Sequence, residues 1–195
     1  MLAGVIALLA LAATVASLGW LHVQPTGLSP VRNAVSQYGI SDYKVGYRVA
    51  TLAFGVAGVA LAIGIAHRVG GNDGAVVALL LIFAAARAAI SWFPMDEPGT
   101  TRTGTGRKHG LLAIAAFGGT TAAAFRLGGR LRDGSTWHSL APVSTVLAVV
   151  MLACLLIMAF ARSSPAVRER FGAVERGFYT AAIAWFTVFA AALVA

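Results

Sequence analysis

Six long apolar segments, separated by shorter stretches that carry almost all of the charge, constrain this sequence more than any other feature. Each segment is close to the roughly 20 residues that an α-helix needs to cross a hydrocarbon core of about 30 Å. The segments cover about residues 2–21, 45–66, 75–93, 110–125, 139–161 and 177–195. The pattern predicts an all-α polytopic membrane protein, a bundle of six transmembrane helices forming one domain over residues 1–195. The first segment lacks the charged leader of a cleavable signal peptide, so we interpret it as a retained helix.

The composition supports a chain whose main solvent is lipid. Only 11% of the 195 residues are charged, and the mean hydropathy is +0.80; soluble domains carry roughly 25% charged residues. The formal charge of +8 raises nucleic-acid binding as a function. However, the basic residues are spread over short loops and form no continuous basic face. Contact with anionic headgroups explains them better, so we expect membrane lipids and no nucleic acid as partners.

The order of the loops along the chain assigns them to two membrane faces. Loops one, three and five share one face, because an odd number of crossings precedes each of them. Loop one (about 22–44) and loop three (about 94–109) are long and chemically mixed, whereas residues 67–74 contain two consecutive glycines and predict a tight turn. Lys and Arg are more frequent in the odd loops, which favours a cytoplasmic location for them. The N-terminus has no charged side chain to anchor either orientation, so both stay open.

Loop one is too polar to lie in lipid and too rich in aliphatic and aromatic residues for a free linker. A re-entrant or interfacial segment fits, with a short helix over about 31–38 behind Pro30. Its candidate ligand-binding residues are Ser36, Ser41 and Asp42. The alternative is that these side chains cap helices, with Asp42 as the N-cap of the second helix.

Loop three brings carboxylates and a histidine to one helix mouth. Asp96 and Glu97 follow the third apolar segment and His109 opens the fourth, so adjacent helices would place Asp96 near His109. A carboxylate and an imidazole there suit a metal site or an oriented proton acceptor. We therefore treat Asp96 and His109 as candidate catalytic residues and, with His22 from the same face, as candidate metal ligands. Asp96, Glu97 and His109 are also candidate ligand-binding residues.

The glycines of residues 103–110 do not predict a nucleotide site. Their pattern, Gly104-x-Gly106-x-x-x-Gly110, matches neither the dinucleotide nor the phosphate-loop motif, and no strand is predicted before it. What remains is a group of basic residues, with Arg107 as a candidate ligand, at the amino end of the fourth helix. An anionic headgroup is the ligand that this place favours.

Arg87 is the one charged residue well inside an apolar segment, about 10 Å of helix rise before Pro94. Either it snorkels to the interface, or it pairs with Asp96, Glu97 or Asp42 in a polar vestibule, since intramembrane charges usually mark function. No Asp or Glu lies within the six segments, which argues against a proton-coupled transporter with a midplane carboxylate.

Two motifs make the chain resemble a known family. Loop one contains Leu28-Ser-Pro-Val-Arg-Asn-Ala-Val-Ser-Gln-Tyr-Gly. Loop three begins Phe93-Pro-Met-Asp-Glu-Pro-Gly and continues through a Thr- and Gly-rich stretch to His109. With these motifs and its helix spacing, the sequence resembles the bacterial membrane family catalogued as domain of unknown function 998.

The resemblance implies that loops one and three form one site. Ser36, Asp96 and His109 match the family's pattern, and Glu175-Arg176-Gly177 is similar to its weaker closing motif. The chain departs from the family at its start, where charged residues usually precede the first helix. No activity or cofactor follows from the family's description.

The leading hypothesis is a protein of a bacterial plasma membrane that binds a lipid or other amphiphile in a polar pocket on the odd-loop face. The Ala-, Gly- and Arg-rich composition favours a bacterium with a GC-rich genome. Ser36, Arg87, Asp96 and His109 would supply the polar contacts. The alternatives are a metal-assisted hydrolase or lipid-modifying enzyme using Asp96 and His109, a small-solute carrier, and a purely structural bundle.

Overall fold

The computed structural model describes residues 1–68, 74–132 and 136–195, and this part of the chain is helical without strands. Its α-helices are α1 (Leu2–Val23), α2 (Lys44–Arg68), α3 (Gly74–Ile90), α4 (Gly104–Arg130), α5 (Ala141–Ala159), α6 (Pro165–Arg168) and α7 (Phe171–Val194). Short 3₁₀ helices cover Val35–Ile40, His138–Leu140 and Phe160–Arg162. The all-α prediction is confirmed.

The six long helices form a closed ring in chain order. Each packs against the next, and α7 returns to α1 while also touching α2 and α4. Loops one, three and five therefore meet at one end of the bundle, called here the odd-loop end (residues 24–43, 91–103 and 160–170). A hydrogen bond from Ala173 N to Val31 O ties loop one to the start of α7 there.

The core combines aromatic side chains with close helix approaches. Phe54 on α2, Phe83 on α3 and Phe186 on α7 pack within about 5 Å of one another, ring centre to ring centre. Gly58 makes the α2–α3 approach possible, because a β-carbon there would lie 2.8 Å from the Phe83 ring. Large apolar side chains such as Leu9 and Ile114 point outward, as they do where a helix faces lipid.

Five helices are long and apolar enough to cross a membrane: Leu2–Val23, Lys44–Arg68, Gly104–Arg130, His138–Ala159 and Phe171–Val194. These spans support a multi-pass membrane protein. The helix α3 is apolar but has only 17 residues. It ends at Ile90, three residues earlier than the hydrophobic pattern predicts.

Two helices begin well before their apolar segments. The helix α4 starts at Gly104, where the Thr103 hydroxyl caps it by accepting from Gly106 N at 3.0 Å, and His109 lies inside it rather than at its start. The helix α7 starts at Phe171, so it contains Glu175. The prediction that no carboxylate lies within a long helix is therefore wrong.

The tight turn predicted over 67–74 lies largely outside the described residues.

Candidate functional site

A small cavity at the odd-loop end collects buried polar side chains from four helices and loop one. Its volume is about 190 Å³. We call it the polar cavity. Its lining residues are Ala34, Ser36, Tyr47, Arg87, Ile90, Met95, His109, Ala113, Phe117, Phe171, Glu175 and Tyr179. Three of these, Ser36, Arg87 and His109, are candidates from the sequence, and the structure brings them together.

Arg87 lies at the floor of the polar cavity, three residues before the end of α3. Its side chain is only 1% exposed. The guanidinium is held between the rings of Phe54 and Tyr179, at 5.7 and 5.3 Å from their centres, and Nη1 donates to the Tyr179 hydroxyl at 2.9 Å. It neither snorkels to the interface nor pairs with the carboxylates of loops one and three.

The other edge of this guanidinium, called here the open edge, makes no direct hydrogen bond to the described residues, although the Tyr47 side chain lies beside the guanidinium. Nε and Nη2 are buried and have no hydrogen-bond partner in the described part of the chain. These two nitrogens form the edge that binds a carboxylate or a phosphate through two parallel hydrogen bonds. Buried donors without partners are rare and costly. The open edge of Arg87 is thus suited to an oxyanion.

Glu175 lines the same cavity from the second turn of α7. It is 5% exposed, and Oε2 accepts a hydrogen bond from Val35 N in loop one at 2.6 Å. Among the residues that the structure describes, Glu175 and Arg87 form no ion pair. The cavity therefore holds a cation and a carboxyl group that face a common space without direct contact.

His109 enters the polar cavity from α4. Its Nδ1 lies 2.8 Å from the Phe93 carbonyl oxygen, and because that oxygen only accepts, Nδ1 carries the proton. The neutral imidazole then has an acceptor at Nε2. The Phe93 bond fixes the ring, which is 7% exposed.

Loop one covers the cavity and is fastened to α7 by the closing motif. Arg176 Nη1 donates to the backbone oxygens of Pro30 and Asn33, each at 2.8 Å. The Ser36 hydroxyl lies 3.1 Å from Met95 Sδ and joins loop one to loop three. Loops one and three are therefore in direct contact.

Asp96 lies outside the polar cavity, at the amino end of α4. Its carboxylate accepts from Thr103 N at 3.1 Å and from the Thr103 hydroxyl at 2.5 Å. These hydrogen bonds hold the pKa of the Asp96 carboxyl below its usual range. Its hydrogen bonds go to Thr103 and not to His109, so the two candidate catalytic residues have different local partners.

The remaining candidates are dispersed. Ser41 and Asp42 line an outer pocket of about 540 Å³ between the end of loop one and the start of loop three, which shares Tyr47 with the polar cavity. The Ser41 hydroxyl donates to Tyr38 O and accepts from Tyr43 N, as a capping side chain does. Glu97 and Arg107 are exposed at the surface.

His22 uses both ring nitrogens within the protein. Nδ1 lies 2.6 Å from Leu18 O, and Nε2 accepts from Arg176 Nε at 2.7 Å. In the described ranges no group of three or more His, Cys, Asp or Glu side chains is placed to hold a metal. The metal hypothesis for Asp96, His109 and His22 stays a prediction.

Sequence reasoning missed three polar residues of the cavity, namely Tyr47, Glu175 and Tyr179. Glu175 had a signal, since it opens the closing motif, but the polar run before it is typical of a loop. The tyrosines have none, because only the packing of α2 and α7 around Arg87 brings them to the site.

Comparison with protein families gives a match over nearly the whole chain. The model of a family described as "Protein of unknown function (DUF998)" matches residues 2–192. No curated protein and no solved structure matches the chain.

Proposed function

This chain belongs to the DUF998 family of proteins of unknown function, and from its own residues we propose that it is a lipid- or amphiphile-binding protein of a bacterial plasma membrane. The polar cavity would take the head of the ligand. Arg87 would bind an oxyanion of that head through Nε and Nη2, with Ser36 and His109 as further polar contacts.

The observation that carries the proposal is the open edge of Arg87. A guanidinium in the apolar interior of a bundle needs a partner for each buried donor. Among the described residues, a hydrogen-bond partner reaches Nη1 only, namely the Tyr179 hydroxyl. A bound oxyanion would give Nε and Nη2 a partner as well.

The size of the cavity favours the head of an amphiphile over a whole drug-sized ligand. Pockets for drug-sized molecules are roughly 300–1,000 Å³, and the polar cavity measures about 190 Å³. Two of its lining residues, Phe117 and Phe171, are partly exposed. Apolar tails would stay in the surrounding lipid.

The depth of the site also fits a headgroup. We propose that α3 is a sixth crossing, since its 17 residues reach the lower limit of about 17 for a membrane span. Arg87 then lies about 5 Å of helix rise below the end of α3, close to the level where phosphate groups and hydrocarbon meet.

An enzyme acting on the bound head is the second candidate. His109 and Glu175 line the same cavity as Arg87, and an imidazole acceptor beside a bound ester is a possible proton acceptor. In this enzyme hypothesis, Glu175 takes the place of Asp96 as the carboxylate that acts with His109, because Asp96 is bonded to Thr103. Release of a water-soluble head from a bound lipid would support it.

Native mass spectrometry of the purified protein, with metal analysis, tests the binding proposal. We compare the wild type with Arg87→Lys, which keeps the charge but removes the two-donor edge, and with Arg170→Lys as the matched control at an exposed arginine of loop five on the same face. A lipid retained by wild type and Arg170→Lys, and lost at least tenfold in folded Arg87→Lys, is the expected result. Equal retention by all three proteins would refute the proposal.

A further inference from the structure

A buried guanidinium and a buried carboxyl group face one small space, and neither is paired with the other. Arg87 is 1% exposed with two free donors, and Glu175 is 5% exposed with Oε2 bonded to Val35 N. Burial of separate charges is unfavourable unless each finds a partner. A single anion placed on Arg87 satisfies one of them and brings a like charge close to Glu175.

The two groups are held in place around one small cavity. Arg87 is bonded to Tyr179, which lies one helical turn after Glu175 on α7. The Val35 bond fixes Glu175, and the Tyr179 bond fixes Arg87. Because both side chains line the same cavity of about 190 Å³, a head whose anion and cation are separated by a few covalent bonds can contact both.

On this basis, and resting on the proposed function, we propose that the polar cavity recognises a zwitterionic head. Its phosphate or carboxylate binds the Nε–Nη2 edge of Arg87, and its ammonium group binds Glu175. Glu175 is then the residue that selects a zwitterion over a purely anionic head, because an adjacent ammonium group stabilises its carboxylate form and a second anion does not.

Two phospholipids with identical tails test this selection. Phosphatidylethanolamine carries an ammonium group and phosphatidylglycerol does not, while both present one phosphate. We measure binding of each to delipidated protein by native mass spectrometry. The wild type is expected to prefer phosphatidylethanolamine at least tenfold, and Glu175→Gln is expected to remove that preference while phosphatidylglycerol still binds.

The matched control is Glu169→Gln, the same substitution at an exposed carboxylate of loop five on the same face; its preference should equal that of the wild type. A wild type that favours phosphatidylglycerol, or a folded Glu175→Gln that keeps the full preference, overturns the proposal. If both lipids bind equally and Arg87→Lys weakens both, the zwitterion inference falls and the binding function stands. If neither lipid depends on Arg87, both fall.

A measurement on the wild type alone tests the proposal even if the Glu175 variant does not fold. N-acetylated phosphatidylethanolamine keeps the phosphate and loses the cation, so it should bind at least tenfold more weakly than the parent lipid; equal binding would contradict the proposal. Free O-phosphoethanolamine separates two sources of the same chemistry. If it displaces the lipid at equal concentration, the ligand is a soluble zwitterion, and if only intact lipid competes, it is a lipid headgroup.

Discussion

The polar cavity and the Ser144–Trp185 contact are two buried polar regions of the same bundle. They differ in whether their buried donors have hydrogen-bond partners within the protein. Between α4, α5 and α7, the Trp185 indole donates to the Ser144 hydroxyl at 2.8 Å, and that hydroxyl donates to Ala124 O at 2.7 Å. Both side chains are fully buried. In the polar cavity, Arg87 is just as buried but has two donors without partners in the described chain.

The difference separates a structural polar contact from a binding site. In the Ser144–Trp185 contact each donor ends on an acceptor of the protein, so nothing is left for a ligand. In the polar cavity the protein fixes the Arg87 guanidinium through Tyr179 and leaves its two-donor edge open. Prearranged donors of this kind reduce the cost of binding. Substitutions in the two regions should therefore separate stability from ligand binding.

The largest effect is expected at Gly172, where α7 touches the roof of the polar cavity. A β-carbon there would collide with the backbone oxygens of Pro30 and Asn33 in loop one. Gly172→Ala should lower the free energy of unfolding by about 3 kcal/mol, the upper range for overpacking a tight site, and should also release the bound lipid. Thermal unfolding in detergent and native mass spectrometry measure the two quantities.

Gly118→Ala is the control for this substitution, since a β-carbon at Gly118 on α4 meets no atom within 4 Å. It should be neutral or stabilising, because alanine favours a helix over glycine by up to about 1 kcal/mol. If Gly172→Ala retains lipid at the wild-type level, loop one does not close the site.

A smaller effect is expected at Ser144, and on stability alone. Ser144→Ala leaves the Trp185 indole nitrogen without its acceptor, which costs about 2 kcal/mol for a buried donor. Lipid retention should stay at the wild-type level. Ser163→Ala, at an exposed serine of loop five, should change neither quantity. A loss of lipid in folded Ser144→Ala would remove the distinction between the two regions.

How much the sequence predicts differs between the fold and the candidate site. Hydrophobic runs are local, so the all-α membrane fold followed from them, and the charge of Arg87 was conspicuous inside one run. Glu175 was hidden because residues 168–176 are mostly polar and typical of a loop, although α7 begins at Phe171. A helix end that extends beyond the apolar segment has no hydrophobic signal, and this one carries the carboxyl group that lines the polar cavity.

Asp96 shows the opposite case. Its position beside a helix mouth and its match to a family motif favoured a chemical role, but a neighbour seven residues away already uses its carboxylate. The sequence predicts that the glycines at 104 and 106 belong to loop three, whereas in the structure Thr103 caps α4, which begins at Gly104. Capping depends on which side chain reaches the free backbone groups, and composition does not specify this.

The smallest predicted effect concerns this cap and its dependence on pH. Because hydrogen bonds from Thr103 lower the pKa of Asp96 from the ordinary value of 3.8, the folded state favours the charged carboxylate, and the resulting stability is present above that value. It is lost as the pH falls through the lower pKa of the folded state.

Asp96→Asn should therefore unfold at a lower temperature than the wild type at pH 7, and the difference should shrink as the pH falls below about 4. Glu97→Gln, at the exposed neighbouring carboxylate, is the control and should show little difference at either pH. Lipid retention should be unchanged in both variants, since neither residue lines the polar cavity. A loss of lipid in folded Asp96→Asn would mean that the start of α4 belongs to the binding site and that the polar cavity alone does not define it.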